Sequence, residues 1–456
     1  PYDKAYTYKY PKAGETNSTV SVLVYDTENR TTKQMDCGSG NDIYFPIIQW
    51  TNNNESLAII RLNRNQTTLD LLSINPRSGV TKTLLSETDK VYIDYTNYTH
   101  LKFNSDNSFV AMSERDGWRH LYRISRDGKQ IQPITKGNFD FINEVGIDTQ
   151  RGLVYFIASP YNATQRYLYQ ARLFGKGEAK RISPADQSGQ HSYNISPSGK
   201  WAVHTFSNTE TPPVISMVSL PDHRSVRLIT DNSRAKEQYR ALGLNGKEFF
   251  QVRSGNWLLD GWMIKPVDFD STKKYPVILD IYGEPANSTV QDVWGGGSLW
   301  HQYLANQGYI VISIDNRGAN CPRGREWRKC IYGEVGTFAC EDQARGVQDL
   351  ARQYSFIDLS RIGVTGWSGG GSQTLNCMFR YPDVFHTGIA VAFVSDQRLY
   401  DTIYQERYMD TPQNNSEGYR KGSPITYAEG LKGNLLLIHG TGDDNVHYQS
   451  CEMLVN

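Results

Sequence analysis

The segment Gly366-Trp367-Ser368-Gly369-Gly370 matches the pattern G-x-S-x-G, which places a serine on a sharp turn between a strand and a helix. An apolar run, 361–365, precedes it directly, and a helix-like segment opens at Gly371. Such a turn lifts the serine hydroxyl above a sheet, while the helix N-terminus offers amides to a developing oxyanion. The pattern therefore predicts Ser368 as a nucleophile, and a glycine-rich turn without chemistry is the alternative.

A serine nucleophile needs a base and a carboxylate that orients the base. In such a sheet the carboxylate follows a later strand, and Leu435–His439 is an apolar run of this kind. Asp443, in the loop after that run, is the predicted orienting carboxylate, and Asp444 is the competing choice. Either acid could instead cap the helix that follows.

None of the nine histidines lies where the base is expected, on a loop after a further strand. His439 precedes the acid loop, and His447 follows Asp443 by only four residues. His301 and His386 come too early in the chain. We expect either that the base lies beyond this stretch, which would then be inactive by itself, or that the protein is not a triad enzyme.

The apolar runs around these residues are continuous, which is typical of parallel strands buried on both faces. Helix-like segments lie between them, notably 341–352 and 371–380. Strand–helix alternation predicts an α/β domain with a mostly parallel, doubly wound sheet over residues 241–456. The predicted strands are Pro276–Tyr282, Tyr309–Ile314, Arg361–Thr365, Gly388–Val394 and Leu435–His439.

Residues 1–240 show a different pattern, short strand-like runs separated by polar turns. The turn residues Asn54, Asn107, Gly152 and Gly199 lie 53, 45 and 47 positions apart. A repeat of this length with about four strands per unit is what a β-propeller blade requires, and a β-sandwich with accidental spacing is the alternative. About four blades are visible, few for a closed ring, so we expect N-terminal propeller sequence to be missing. We also expect C-terminal α/β sequence to be missing. Four of the runs are Leu57–Arg61, Phe109–Met112, Leu153–Phe156 and Trp201–His204.

The composition excludes several classes of protein. With 48 basic and 48 acidic side chains the net charge is zero, which argues against a nucleic-acid binder. No apolar run approaches the roughly eighteen residues of a spanning helix, so no membrane anchor is visible. The six cysteines show no metal-site spacing, and we predict neither a metal nor another cofactor.

Taken together, the motifs resemble the prolyl oligopeptidase family, in its dipeptidyl peptidase IV branch. The resemblance covers nearly the whole chain and implies a partial β-propeller followed by an α/β-hydrolase domain. The residues that carry it are Tyr10–Gly14, Ser113–Tyr122, Ile134–Gly137, Asp280–Pro285, Asp315–Gly318, Gly366–Ser368, Tyr404–Met409 and His439–His447.

The resemblance implies a role for each matching residue. Ser368 would be the nucleophile and Asp443 the orienting carboxylate, while Tyr282 and the backbone amide of Gly369 would donate to the oxyanion. Glu406 and Arg407 are expected to form a buried pair that holds the pocket segment. The residues implied to bind substrate are Trp367, Val394, Tyr400, Tyr404 and Val446, around the residue before the scissile bond, and Asn445, on a substrate carbonyl.

Three features depart from this branch. Gly369 stands where the branch commonly has tyrosine, and Glu284 stands beside the oxyanion tyrosine, where a small residue is usual. The acidic pair that binds the substrate's α-amine in this branch is expected upstream of Tyr10, outside this chain.

The resemblance thus implies a serine exopeptidase that releases N-terminal dipeptides after Pro or Ala. A tripeptidyl or acylaminoacyl peptidase of the same family is one alternative, and a catalytically silent propeller–hydrolase used as a binding module is another. The expected partners are peptides or oligopeptides, with a homodimer left open and nucleic acid excluded. The resemblance implies the periplasm or the cell surface, while sequons such as Asn162-Ala-Thr164 arise by chance in an Asn-rich chain.

Overall fold

Antiparallel sheets follow one another along the first half of the chain. The structure, a computed structural model, describes residues 7–40, 42–99, 101–104, 108–174, 178–295 and 298–456. A two-stranded ribbon pairs β1 (Leu23–Asp26) with β2 (Thr31–Gln34). Four four-stranded antiparallel sheets come next, in chain order. They contain β3 (Ile43–Trp50), β4 (Leu57–Asn63), β5 (Thr68–Ile74) and β6 (Thr81–Thr88); β7 (Lys102–Phe103), β8 (Phe109–Ser113), β9 (His120–Ile124) and β10 (Ile131–Pro133); β11 (Phe141–Asp148), β12 (Leu153–Ala158), β13 (Tyr167–Arg172) and β14 (Lys180–Arg181); and β15 (Gln190–Ile195), β16 (Trp201–Asn208), β17 (Thr211–Ser219) and β18 (Ser225–Thr230).

The four sheets stack face to face, as the blades of a propeller do. Strand β8 shows how, because its side chains alternate between two separate cores. Phe109 and Ala111 pack with residues of β4 and β5 in the preceding sheet. Val110 and Met112 pack with Phe156 and other residues of the following sheet. No blade covers both of its own faces, so each depends on its neighbours for burial. The predicted propeller is confirmed.

The repeat seen in the sequence marks one particular strand of each blade. The four predicted runs become β4, β8, β12 and β16, the second strand of each sheet in chain order. Gly152 and Gly199 have φ of 63° and 66° in the turns that lead into β12 and β16, a conformation that favours glycine. Asn107 lies outside the described residues. The residues of these turns therefore indicated where the second strand of each blade begins.

The fourth blade contains a stack of histidine and tyrosine rings. His191 and His204 are buried, and their rings stack in parallel with centroids 5.1 Å apart. Tyr193 stacks on the ring of His204 at 4.6 Å. The Nε2–H of His191 donates to the carbonyl oxygen of Gln187, so its Nδ1 is left to accept from Nε2–H of His204 at 2.9 Å. This chain of hydrogen bonds is complete when both imidazoles are neutral.

We expect this stack to weaken the fourth blade in acid. Burial lowers the pKa of His191 to about 4 and of His204 to about 3, below their unfolded value near 6.5. Because the unfolded chain binds the protons first, the stabilisation is complete above pH 6.5 and falls as the pH drops toward 4. Uptake of one proton by the unfolded chain between pH 6.5 and 5 should lower the free energy of unfolding by about 2 kcal/mol. Thermal unfolding midpoints at several pH values measure this.

His204→Gln provides the matched variant, because glutamine can still donate to His191 but does not titrate. Its midpoint should fall less than that of the wild type between pH 7 and pH 5. Identical pH dependence in the two proteins would refute a role for the stack.

The second half of the chain alternates strands and helices around one sheet. A two-residue turn, Gly255-Asn256, joins its first two strands in a hairpin. In chain order the elements are α1 (Ser233–Ala241), β19 (Glu248–Ser254), β20 (Trp257–Ile264), β21 (Tyr275–Asp280), α2 (Ser298–Asn306), β22 (Ile310–Ile314), α3 (Gly324–Lys329), α4 (Phe338–Gln353), β23 (Ile357–Trp367), α5 (Gly369–Arg380), β24 (Thr387–Val391), α6 (Thr402–Met409), α7 (Ser416–Gly422), β25 (Asn434–Ile438) and α8 (Gln449–Val455). The predicted domain boundary at 240/241 falls at the end of α1.

The sheet has seven strands in the order β19-β20-β22-β21-β23-β24-β25. From β22 to β25 every neighbouring pair is parallel, and β20 alone of the seven strands runs in the opposite direction, antiparallel to both β19 and β22. The doubly wound α/β domain is therefore confirmed. Within this chain the predicted burial on both faces is not seen for β25, where Leu436 and Ile438 are about half exposed.

A buried cluster of charges joins the propeller to the α/β domain. Arg328 of α3 donates from Nε to Glu114 at 3.0 Å and from Nη1 to Asp140 at 2.5 Å. Lys329 contacts Asp89 at 2.8 Å and Glu114 at 3.0 Å. Cations of the α/β domain thus face carboxylates of the propeller, which fixes the two parts against each other.

Candidate active site

Ser368 stands on a strained turn between β23 and α5. Its φ of 58° and ψ of −120° lie in a region that residues with a side chain rarely adopt, so surrounding contacts must enforce it. A Cβ on Gly370 would lie 2.2 Å from the carbonyl oxygen of Ile281, and one on Gly366 would lie 2.4 Å from the carbonyl carbon of Gly370. Both glycines are therefore required for the close approach of strand and helix. The predicted strand–turn–helix is present.

Two candidate oxyanion donors lie beside this turn. Gly369 is the first residue of α5, and amides of a first helical turn have no acceptor within the helix. Tyr282 follows β21, and the backbone at Ile281–Tyr282 is the surface against which Gly370 packs. Burial, with a further contribution from Glu284, raises the pKa of the Tyr282 phenol well above its usual range. The phenol therefore keeps its proton and can donate it in a hydrogen bond.

Replacing Tyr282 with phenylalanine tests this donor. We expect kcat/KM for a peptide substrate to fall by about 10²-fold, with most of the loss in kcat, because the hydrogen bond strengthens as charge develops on the oxyanion. Steady-state kinetics on the full-length protein measure it. Tyr332→Phe, a half-buried tyrosine of the same domain, is the control. Equal activity of Tyr282→Phe and wild type would remove Tyr282 from the reaction.

The acid loop follows β25, as predicted. Oδ1 of Asp443 accepts from the amides of Asn445 and Val446 at 3.1 and 2.9 Å, so this carboxylate is fixed within its own turn. Asp444 is exposed, and its carbonyl oxygen accepts from the hydroxyl of Tyr8. Neither acid caps α8, whose first turn has no side-chain cap. The ordered, half-buried carboxylate of Asp443 is the better suited of the two to orient a base.

The histidines near the site are engaged elsewhere. Nε2 of His439 donates to the carbonyl oxygen of Val446 at 2.7 Å and lies 3.9 Å from Oδ2 of Asp443. Nε2 of His447 is hydrogen-bonded to the hydroxyl of Tyr8 at 2.7 Å. Within the described residues, no hydrogen bond joins the hydroxyl of Ser368 to a histidine. We assign the general base to none of them.

Several contacts link predicted pocket residues to one another or to α5. The rings of Tyr400 and Tyr404 meet edge to face at 5.3 Å, and the hydroxyl of Tyr400 donates to Oδ1 of Asn445 at 3.1 Å. The amide of Val394 donates to the hydroxyl of Ser372, one turn into α5. Val446 is buried within the acid loop. Trp367, which precedes the nucleophile, is 70% exposed within this chain.

Comparison with known families gives one match in each half of the chain. Residues 1–213 match the family described as Dipeptidyl peptidase IV (DPP IV) N-terminal region. Residues 298–456 match the prolyl oligopeptidase family. The chain belongs to the prolyl oligopeptidase family, in its dipeptidyl peptidase IV branch.

Relatives in this family align along the whole chain. It is 31% identical to a probable dipeptidyl peptidase 4 of Emericella nidulans, over 100% of this chain and 60% of that protein. It is 29% identical to the probable dipeptidyl peptidase 4 of Aspergillus flavus, over 98% of this chain and 59% of that protein. The chain thus spans about 60% of the length of these curated relatives.

Solved structures of the family superpose closely. The crystal structure of Porphyromonas gingivalis dipeptidyl peptidase 4 matches with a TM-score of 0.94 at 36% identity, over 100% of this chain and 64% of that one. A putative dipeptidyl aminopeptidase IV from Bacteroides ovatus matches with a TM-score of 0.90 at 30% identity, over 98% of this chain and 66% of that one.

The expected pair of Glu406 with Arg407 is wrong. Glu406 instead binds Arg64 of the propeller through two hydrogen bonds of 2.8 and 2.7 Å, and its Oε1 also accepts from the amide of Gly14. Arg407 donates to Gln66 and lies over the ring of Tyr95. Adjacent residues of a helix point in different directions, so neighbours in α6 reach different partners. The pocket segment is held by the propeller.

An N-terminal segment, residues 8–14, is the other support that sequence reasoning missed. The amide of Ala13 donates to the carbonyl oxygen of Tyr400, and the hydroxyl of Tyr10 donates to the carbonyl oxygen of Asn445. The segment therefore touches both the pocket helix region and the acid loop. No local pattern in the sequence signals contacts between residues about 400 positions apart.

Glu284 is the residue that connects the nucleophile turn to the pocket. A Cβ on Gly369 would lie 2.8 Å from Cδ of Glu284, and Oε2 of Glu284 accepts from the hydroxyl of Tyr404 at 3.0 Å. The contacts thus run from Ser368 and Gly369 through Glu284 to Tyr404, then by Tyr400 to Asn445. Glu284 and Gly369, the two departures from the family pattern, prove to be neighbours.

Other candidate sites lie away from this group. A cavity of about 680 Å³ opens between the domains beside Trp118, Tyr161, Phe249 and Arg323, and none of the predicted site residues lines it. Among the described residues, no group of three or more His, Cys, Asp or Glu side chains is arranged to hold a metal. The described helices include none that is both long and apolar enough to cross a membrane.

Proposed function

We propose that this chain supplies the nucleophile, the oxyanion donors and the orienting carboxylate of a serine exopeptidase that releases N-terminal dipeptides after Pro or Ala. The observation that carries the proposal is the strained Ser368 turn packed against the backbone of Ile281–Tyr282. The names of the relatives and of the solved structures support a dipeptidyl peptidase.

In the proposed reaction, each of the candidate site residues takes part in a definite step. Oγ of Ser368 attacks the carbonyl carbon of the scissile bond, and a general base takes its proton. The developing oxyanion accepts hydrogen bonds from the phenol of Tyr282 and the amide of Gly369. The amine leaves with a proton from the conjugate acid of the base, which leaves an acyl-enzyme on Ser368. Water then hydrolyses the ester, and in this proposal Asp443 orients the base during both acylation and deacylation.

The aromatic walls suit a proline ring. Tyr400 and Tyr404 meet at a right angle, and the aliphatic side chains of Val394 and Val446 are both buried. A compact, rigid ring has little conformational entropy to lose when it enters such a slot. The propeller is fixed to the α/β domain by buried charges, and hydrolysis of small esters would not need such a domain. Its presence therefore favours peptide substrates.

Aminoaryl substrates test the proposal on the full-length protein, with Ser368→Ala as the control. Gly-Pro-, Ala-Ala-Pro- and acetyl-Ala-aminoaryl compounds differ in how many residues precede the cut and in whether the amine is free. We expect Ser368-dependent cleavage of Gly-Pro- in strong preference to the other two. Preference for Ala-Ala-Pro- would indicate a tripeptidyl peptidase, and preference for the acetylated compound an acylaminoacyl peptidase. Cleavage of none would favour the catalytically silent binding module.

A further inference from the structure

The residue after the nucleophile has no side chain, and a carboxyl group occupies the space that a side chain would take. A Cβ on Gly369 would lie 2.8 Å from Cδ, 2.9 Å from Cγ and 2.9 Å from Oε2 of Glu284. Real Cβ atoms are not found so close to other heavy atoms, so a larger residue at 369 and glutamate at 284 exclude each other. The φ of Gly369 is not left-handed, so the backbone does not require glycine there. Glycine at 369 is thus explained by Glu284.

The carboxyl group of Glu284 is buried and has no cationic partner in the part of the chain that the structure describes. Glu284 is 7% exposed, and its hydrogen bond within the described residues is the one that Oε2 accepts from Tyr404. No ion pair joins Glu284 to a described lysine, arginine or histidine. Burial therefore raises the pKa of Glu284 to about 7, even though the Tyr404 hydrogen bond lowers it. A buried acid without a cation is costly unless a ligand supplies a donor.

The position of this carboxyl group connects it to substrate recognition. Its charge raises the pKa of three tyrosines, Tyr282, Tyr400 and Tyr404, which include the candidate oxyanion donor and both aromatic walls of the pocket. Within the described residues, Oε1 has no hydrogen-bond donor. A substrate side chain that enters between these walls meets a carboxyl oxygen with unused acceptor capacity.

We propose that Glu284 is a specificity-determining residue of this pocket, and that it selects substrates whose residue before the scissile bond carries a hydroxyl group. A proline-sized ring with a hydroxyl, such as 4-hydroxyproline, fits both the aromatic walls and the free acceptor. The inference rests on the proposed function, since it concerns the substrate of the same site. Gly369 is its counterpart, because only glycine leaves room for the carboxyl group.

A pair of substrates that differ by one oxygen atom tests this on the full-length protein. The measured quantity is the ratio of kcat/KM for Gly-hydroxyproline-aminoaryl to that for Gly-Pro-aminoaryl. We expect the wild type to favour the hydroxylated substrate by about tenfold, the value of one hydrogen bond to a charged acceptor. Glu284→Met, which removes the acceptor at similar volume, should bring the ratio to about one. Glu284→Gln retains an amide oxygen and should keep part of the preference.

The ratio distinguishes recognition of the substrate hydroxyl from a purely structural role of Glu284, because a structural role would change kcat/KM for both substrates equally. An unchanged ratio in Glu284→Met, with Ser368-dependent cleavage intact, would overturn this inference alone. Absence of Ser368-dependent cleavage of both substrates by the wild type would overturn the proposed function, and the inference with it.

Thermal unfolding tests, without measuring activity, whether the side chain of Glu284 requires glycine at position 369. Gly369→Ala should lower the midpoint when Glu284 is present, because the new Cβ meets its carboxyl group. In a Glu284→Gly background the same substitution should lower the midpoint by less than about half as much. Equal shifts in both backgrounds would show that Glu284 does not dictate glycine at 369 and would overturn the pairing.

Discussion

Replacing Ser368 with alanine in the full-length protein is expected to lower kcat/KM for Gly-Pro-aminoaryl by about 10⁴-fold or more. The expectation follows from the backbone, since Ser368 is a residue with a side chain held at a φ of 58° between two glycines that cannot be replaced. Strain of this kind persists where the surrounding structure requires the side chain at that point. Alanine keeps the turn but removes the attacking oxygen.

Ser372→Ala is the matched control for this substitution. Ser372 lies one turn further along α5 and binds the amide of Val394 through its hydroxyl at 2.9 Å. Its loss should disturb the pocket moderately, with the reaction retained. If Ser368→Ala kept more than a tenth of the wild-type activity while its fold was intact, Ser368 would not be the nucleophile.

Replacing Arg328 with methionine is expected to give the largest loss of stability, about 3–5 kcal/mol. Arg328 is 4% exposed and binds Glu114 and Asp140, both also buried. Methionine fills much of the volume but leaves two carboxylates with fewer donors in a region of low dielectric constant. The apparent thermal midpoint should fall by roughly 5 °C or more.

Two further variants isolate the electrostatic cause. Arg328→Met combined with Glu114→Gln removes one of the uncompensated charges and should regain part of the lost midpoint. Arg420→Met breaks an exposed pair with Glu417 on α7 and should leave the midpoint almost unchanged. If the two arginine variants lowered the midpoint equally, the interdomain cluster would not have the importance that its burial indicates.

The parts of the fold that could be predicted from the sequence were those determined by residues close together in the chain. The turns before β12 and β16 need a positive φ and carry glycine, so the second strand of each blade could be located. The strand, the serine and the helix after it are contiguous in the chain, and that whole unit was predicted correctly. Parallel strands of the α/β domain were recognisable as continuous apolar runs.

What could not be predicted depends on contacts between distant residues. Glu406 binds Arg64, 342 positions away in the sequence, and nothing in α6 distinguishes that partner from the adjacent Arg407. Glu284 and Gly369 were each recognised as unusual, but only the structure shows that one occupies the space left by the other.

Covalent labelling with a fluorophosphonate tests most directly whether Ser368 is an activated nucleophile. The full-length protein would be treated with the probe and digested, and the modified residue located by mass spectrometry. We predict one phosphonylated serine, Ser368, and no labelling of Ser368→Ala, while Ser372→Ala remains labelled. Labelling at another serine, or labelling that persists in Ser368→Ala, would contradict the assignment of Ser368 as the nucleophile, and no labelling at all would contradict the proposed serine peptidase.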